Sequence, residues 1–282
     1  SMPTAEATPE QLAELMVGRA IDISVPYVEI QEKKEPVLSI RDLRITDKAT
    51  HTDRLSIDAL DICSYEILGV AGVADSGQKE LCEAISGIQK ATGSVRLKGT
   101  ELIGLDPKAM RKKDIQIGFV PEDRLGMGLV GSMGMTGNMM LRSWRKGRGA
   151  FLNRKDPEDL AKRIWQELDV VTPSTSFPVR RMSGGNVQKV LVGREIAQMP
   201  SVLMTAYAVR GLDINTSYTI YNLLTEQKMK GIAVVYVGED LDVLLELCDR
   251  ILVLCGGKVS GIVDGRKTTK DAVGLMMTKI GG

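Results

Sequence analysis

The apolar positions of this chain change period along its length, and each change marks an element. Residues 8–19, T-P-E-Q-L-A-E-L-M-V-G-R, place a Thr cap before apolar residues at helical spacing and predict a short amphipathic helix ending near Gly18. Residues 20–36 carry several charges with Pro26 and Pro36, and read as a linker. Apolar runs then predict strands at 37–45, 55–62 and 67–71. The last runs into G-V-A-D-S-G and a helical pattern over 78–88. Further strands at 115–120, 201–206, 232–237 and 250–254 are interleaved with helical patterns at 157–168, 186–198, 215–230 and 240–247. Strands alternating with helices call for a mainly parallel α/β sheet.

Composition removes several function classes. With 37 Lys and Arg against 36 Asp and Glu, no general field attracts nucleic acid or an anionic membrane. Aromatics are only 4%, too few for a base-stacking platform, so no nucleic-acid partner is expected. Cys63, Cys82, Cys248 and Cys255 form no C-x-x-C and read as buried thiols, while His51 is the only histidine. A histidine metal site or catalytic triad is therefore excluded, and no metal site in the protein is expected. No apolar run reaches the roughly 18 residues of a membrane span, so a membrane role would come through a partner. Ser1-Met2-Pro3 reads as a tag scar.

Four short segments carry candidate chemistry, in the order 72–80, 121–124, 182–189 and 210–213, followed by a strand ending at Gly238-Glu239-Asp240. Strand, glycine-bearing turn and helix at 67–88 is the layout of a phosphate loop. M-S-G-G-N-V-Q-K, V-P-E-D-R and R-G-L-D are the most specific pieces. From about Val37 onward the chain resembles an ABC transporter nucleotide-binding domain, in particular the second half of the duplicated ATPases that serve simple-sugar and nucleoside importers. The resemblance implies a P-loop NTPase ABC-type α/β core, with an antiparallel β subdomain and a helical subdomain inserted at about 125–189. It makes 37–282 one nucleotide-binding domain. Residues 1–36 become a tag scar, the tail helix of a preceding module and a linker. Thr8, Leu15 and Met16 match Thr268, Leu275 and Met276 when 8–19 is laid over 268–279, as a repeated module would give.

The resemblance also shows where this chain departs from a working site. An intact loop reads G-x-x-x-x-G-K-[ST] with a further glycine between. Its backbone N–H groups wrap the β-phosphate, the lysine reaches the β/γ oxygens, and the hydroxyl binds Mg2+. Gly72 and Gly77 hold the outer glycine positions, with Ser76 before the second. Asp75 stands at the inner glycine position, Gln78 at the lysine and Lys79 at the hydroxyl, with Glu80 following. A carboxylate about 4 Å from a phosphate costs roughly 4 kcal/mol at an effective dielectric of about 20, close to three powers of ten in affinity. Lys79 lies one helical step, about 100°, from the direction the lysine needs. Downstream, Ala206 and Tyr207 replace the Walker B carboxylate that orients hydrated Mg2+ and the general base, and Glu239 replaces the switch histidine. This half is expected not to hydrolyse ATP. The sequence leaves open whether its loop holds any nucleotide.

The signature segment is intact by the same comparison. Ser183 supplies a hydroxyl, Gly184 and Gly185 let backbone approach a ligand, and a helix follows through Asn186 and Gln188. In ABC dimers this surface caps the γ-phosphate held by the partner's loop, which makes these five residues trans ATP contacts. Asp213 falls in the D-loop, which touches the opposite module, and Glu122 stands at the Q-loop position, which couples to the membrane subunit. ATP and Mg2+ are thus expected at a composite site. The implied partners are an upstream nucleotide-binding domain of the same polypeptide, transmembrane permease subunits and, indirectly, a substrate-binding lipoprotein. The implied location is the cytoplasmic face of the plasma membrane.

Three lesser features are read plainly. The Met133–Met140 cluster, with Gly126-Met127-Gly128, reads as a mobile loop of the helical subdomain; the basic run 142–154 reads as a solvated loop; and His51 falls near the place where the family stacks adenine on an aromatic. Two functions compete. One is an energy-coupling half of an importer of nucleosides or simple sugars that donates its signature and D-loop in trans. The other is a structural dimerisation or docking module whose signature is a relic. An ABC-type protein of translation or DNA repair fits poorly with the neutral charge.

Overall fold

The computed structural model describes residues 27–47, 52–143 and 153–279. Strand β1 (Pro36–Thr46) pairs antiparallel with β2 (Asp53–Cys63), Ile40 opposite Leu60 and Leu43 opposite Ile57. Both strands break strict alternation once. Leu38 and Ile40 are buried, then Leu43 and Ile45, and Asp42 takes up the extra residue at a φ of 50°. An apolar side chain buried this fully contributes about 1.5–3 kcal/mol, so the shared slip keeps all eight inward residues of the pair in the core.

Strand β3 (Ile67–Gly72) leads through the loop 73–77 into helix α1 (Gln78–Ile85). Strands β4 (Thr92–Leu97) and β5 (Thr100–Glu101) extend the β1 edge, and a short helix α2 (Pro107–Lys112), capped by Asp106, follows. After β6 (Ile117–Val120) come a π-helical turn at Arg124–Gly128, α3 (Met135–Ser143), α4 (Lys155–Glu167) and α5 (Gly184–Ile196). The chain then runs β7 (Val202–Ala206), α6 (Ile214–Met229), β8 (Ala233–Val237), α7 (Leu241–Leu247), β9 (Arg250–Cys255), β10 (Lys258–Asp264) and α8 (Lys270–Thr278).

Among the described residues ten strands form one sheet, in the order β5-β4-β1-β2-β10-β9-β3-β8-β7-β6. From β9 to β6 every neighbour is parallel; beyond β9 the pairing turns antiparallel, apart from a single parallel bridge between β10 and β2. The parallel strands are apolar on both faces, because both are covered. Leu203, Val234, Ile251 and Val253 face one core with α5, α6 and α7; Val202, Met204, Val235 and Leu252 face the other with α1 and the β1–β2 pair. The carboxyl ends of β3, β6, β7 and β8 therefore open on one edge, where ligands of open α/β sheets bind.

Four expectations change here. The Met133–Met140 segment is not a mobile loop: most of it is the helix α3, with Met135 and Met139 fully buried. Asn138, also fully buried, ties its start down through bonds to the Val130 backbone and the Met133 and Gly134 carbonyls. Arg142 is not free in solvent either, since its partly exposed side chain ion-pairs with the fully buried Glu195 of α5. The expectation for 144–152 lies outside the described residues, as do His51 and the 8–19 helix. Part of the 20–36 linker is docked rather than free: Tyr27 lies between Lys228 and Arg266 and donates to buried Asp249, which also accepts from Lys34, Lys228 and the Ile67 amide. Finally, β4, β5, β10 and α2 were not marked by the apolar pattern. β5 has two residues and α2 six, while β4 and β10 leave most of their residues exposed or half-buried.

Candidate functional site

The phosphate-loop region is built by β3 and α1. Asp75 (φ 63°) and Gly77 (φ 102°) put two residues of the loop in the left-handed region, where Asp is among the better-tolerated non-glycine residues. Ser76 is buried, and its amide donates to the Val73 carbonyl at 3.2 Å. Gln78, at the lysine position, is 2% exposed and donates from Nε2 to the same carbonyl at 3.0 Å, so its side chain folds back on its own loop. Gly72 permits this, since a Cβ there would meet the Gln78 amide. Lys79 points away along the helix surface toward Glu83, 3.8 Å off, as the helical rotation predicts. Glu80 adds a negative charge in the first turn of α1, whose N-cap, Gly77, has no side chain to cap it.

Next to the loop, β7 ends at the buried Ala206, and Tyr207 turns off the strand at a φ of 51° with its amide bonded to the Val237 carbonyl. Burial, followed by the neighbouring Glu122 and Glu239 carboxylates, raises the Tyr207 hydroxyl above its ordinary range. No carboxylate stands at Ala206 to hold a hydrated cation, and no ammonium stands at Gln78. This donor set does not match what a Mg2+-triphosphate needs. Among the described residues no group of three His, Cys, Asp or Glu is placed to hold a metal ion.

The signature region has the opposite character. Ser183 caps α5: its hydroxyl accepts from the Asn186 amide at 3.4 Å and from Asn186 Nδ2 at 2.8 Å. Ser183 and Gly184 are exposed, with the start of a 13-residue helix directly behind them. Gly185 is needed for packing, because a Cβ there would press on Thr216 at the start of α6. Asn186 is held by the Val171 amide at its Oδ1. One expected contact fails. Gln188 is fully buried, so its side chain lies inside the protein and cannot meet a phosphate on the surface. Its two amide atoms have no hydrogen-bond partner among the described residues.

Asp213 caps α6, accepting from the Thr216 amide at 3.0 Å and the Thr216 hydroxyl at 2.7 Å, and these bonds hold its carboxyl below the usual carboxylate range. Its residue remains exposed at the surface beside the signature. Glu122 and Glu239 come together, joined by a residue that pattern reading passed over. Arg210 pairs with Glu122 at 2.6 Å and with Glu239 at 3.3 Å. Arg124 donates to the Arg210 carbonyl, and a cleft of about 510 Å³ opens between Glu122, Arg124, Met182, Gly184, Tyr207 and Arg210. The signal was present, since both arginines lie inside the quoted P-E-D-R and R-G-L-D segments, each three or fewer residues from a carboxylate. A third residue passed over is Glu195. It is fully buried, bonds Arg142 and Arg194, and accepts from the Phe119 amide, so it anchors the signature helix to β6 and α3.

No protein-family model matches the chain. It is 34% identical over 281 residues to a nucleoside import ATP-binding protein, NupA, of Lactococcus lactis, covering 98% of this chain and 54% of that protein. It is 32% identical to a guanosine import ATP-binding protein, NupO, of Bacillus subtilis, at the same coverages. A ribose import ATP-binding protein, RbsA, of Corynebacterium glutamicum is 31% identical, with 95% and 50% covered. The chain thus spans about half the length of these relatives. Among solved structures, the dimeric bacterial ABC transporter cassette MJ0796 superposes with a TM-score of 0.71 at 23% identity, over 82% of this chain and all of that one. The post-hydrolysis dimer of the same cassette, bound to ADP and Pi, gives 0.69 at 22% identity, with the same shares covered. The fold is that of an ABC ATPase, and the chain carries an ATP-binding-cassette domain of the type found in the ATP-binding proteins of sugar and nucleoside importers.

Proposed function

We propose that this chain is the second nucleotide-binding half of a tandem import ATPase. It does not hydrolyse ATP on its own phosphate loop. It completes the partner half's ATP site by presenting the Ser183–Asn186 helix start and the segment ending at Asp213, and so helps drive uptake of nucleosides or simple sugars. The observation that carries the reading is an asymmetry between two helix starts. At one, Ser183 and Gly184 are exposed and open toward a ligand; at the other, Asp75 and a self-bonded Gln78 occupy the places of a glycine and a lysine.

The supporting chemistry is simple. A helix start with glycine backbone and a hydroxyl favours an oxyanion. The opposite half would contribute the lysine and the Walker B carboxylate, with ATP and Mg2+ held between the two. The relatives' length leaves room for such a half, and the repeat between 8–19 and 268–279 suggests that it lies upstream. In this reading 37–282 is one cassette, with a helical subdomain near 125–189 that faces a transmembrane permease. A substrate-binding lipoprotein then acts only indirectly, at a membrane whose cytoplasmic face this protein occupies. No helix among the described residues is long and apolar enough to cross a membrane.

The test compares ATP turnover by this chain alone with turnover by the complete protein. The chain alone is expected to show none above background, and the complete protein to be active. Robust turnover by the chain alone rejects the reading. One observation favours the rival, a docking module with a relic signature: both oxygens of Asp213 already serve Thr216 within the chain. Unchanged turnover after Ser183→Ala with Gly184→Asp in the complete protein would select that rival.

A further inference from the structure

Between the two helix starts lies a group of charges that neither of them explains. Arg210 sits on the connection from β7 to α6, and its guanidinium forks. Nη1 reaches Glu122 Oε1 at 2.6 Å and Nε reaches Glu239 Oε1 at 3.3 Å. Glu122 follows β6 and Glu239 follows β8, so one side chain joins carboxylates from two other loops. Arg124 donates from Nη2 to the Arg210 carbonyl at 2.5 Å, and its Nη1 lies 3.1 Å from where a Cβ on Gly184 would stand. The Q-loop position, the switch position, the segment ending at Asp213 and the signature are thereby linked through two arginines.

The connection that Arg210 holds has an unusual backbone. Tyr207 and Gly211 both have positive φ, and for a large aromatic that region is disfavoured. The segment stays in place through Tyr207 N to Val237 O, Arg210 N to Tyr207 O and Leu212 N to Val209 O, and it ends in the Asp213 cap. Without the Arg210 charge, Glu122 and Glu239 would flank Tyr207 with like charges only. Planar, forked donors are suited to holding two carboxylates at once.

We propose that Arg210 is a positioning residue: a fixed cation that draws the Glu122 and Glu239 loops together and sets Asp213 and the Ser183 helix start in working order with no ligand on this half. The inference rests on the reading that this half donates those parts in trans. Because the pairs are half exposed, they are individually weak and sensitive to salt. The effect belongs to the geometry of the loop more than to global stability.

The experiment measures ATP turnover by the complete protein carrying Arg210→Ala, Arg210→Lys, or Ser183→Ala with Gly184→Asp, beside the melting temperature of this chain with each Arg210 change. Arg210→Ala is expected to lower kcat about tenfold while KM for ATP stays within about twofold, because the triphosphate is gripped by the other half. Arg210→Lys is expected to recover part of the loss, and the melting temperature to stay unchanged. Unaltered kcat in Arg210→Ala beside a dead signature variant overturns the role of Arg210 and leaves the proposed function standing. Unaltered kcat in both variants removes the proposed function itself. A loss of kcat that tracks a fall in melting temperature, with no recovery in Arg210→Lys, makes Arg210 merely structural and also overturns the inference.

Discussion

The start of α1 and the start of α5 are the same local device, a helix N-terminus with glycine at or beside its cap, yet the chain treats them in opposite ways. At α5 the cap is a serine, the first two helical residues are glycine, and nothing acidic lies in the first turn. At α1 the cap position is a glycine with no side-chain bond, Asp75 sits inside the turn, and Glu80 follows in the first turn. The difference is not one of fold, since both turns are well formed. It lies in charge and in where a single amide points: Gln78 bonds its own loop, whereas Asn186 bonds the cap and a neighbouring loop and leaves the serine outward.

Four changes would break or sharpen this contrast. The largest effect is expected from Ser183→Ala with Gly184→Asp in the complete protein: a fall in ATP turnover of about a thousandfold, measured by phosphate release, as preorganised oxyanion donors are lost and a carboxylate is introduced. Next comes the anchor of the signature helix. Glu195→Ala strands the buried Arg194 and loosens α5 from α3, so it should cost about 3 kcal/mol in denaturant unfolding of this chain. The low end of the range for a broken buried pair applies because Arg142 is partly exposed.

Repair of the other turn should give a gain of similar kind and smaller size. Asp75→Gly with Gln78→Lys and Lys79→Ser is expected to strengthen ATP binding by this chain about 100-fold in calorimetric titration, by removing a repulsion and adding a phosphate-bound ammonium. Turnover should remain absent, because Ala206 and Tyr207 supply neither a cation ligand nor a base. The smallest effect belongs to Gln188→Met. Its buried amide has no partner among the described residues, so a shape-matched apolar replacement should change stability by no more than about 1 kcal/mol, and toward stabilisation. A loss of several kcal/mol would mean that the amide is satisfied in solution.

Much of the architecture was legible because its parallel strands are apolar on both faces and bounded by turns. Strands β3, β7, β8 and β9 and helices α6 and α7 lie within two residues of where periodicity puts them, while α1 starts where expected and ends three residues early. The misses have physical causes. The Met-rich stretch looked mobile because Met is flexible and Gly134 and Gly137 interrupt it; its helix is fixed by tertiary contacts through Asn138, Met135 and Met139 that no local pattern contains. Gln188 looked like a ligand contact because it lies in the motif, but the helical turn carries it to the inner face. Arg210 was visible only as a letter in R-G-L-D. Its partners Glu122 and Glu239 are 88 and 29 positions away, distances at which periodicity says nothing.

The number of triphosphates that the complete protein holds at once separates a half that binds its own nucleotide from one that only completes its partner's site. Equilibrium binding of a slowly hydrolysed ATP analogue with Mg2+ should give one nucleotide per polypeptide, retained in the signature variant of this chain and lost when the partner half's loop lysine is removed. Two nucleotides per polypeptide bound with near-equal affinity, the second surviving removal of the partner half's loop lysine, would contradict the proposed function.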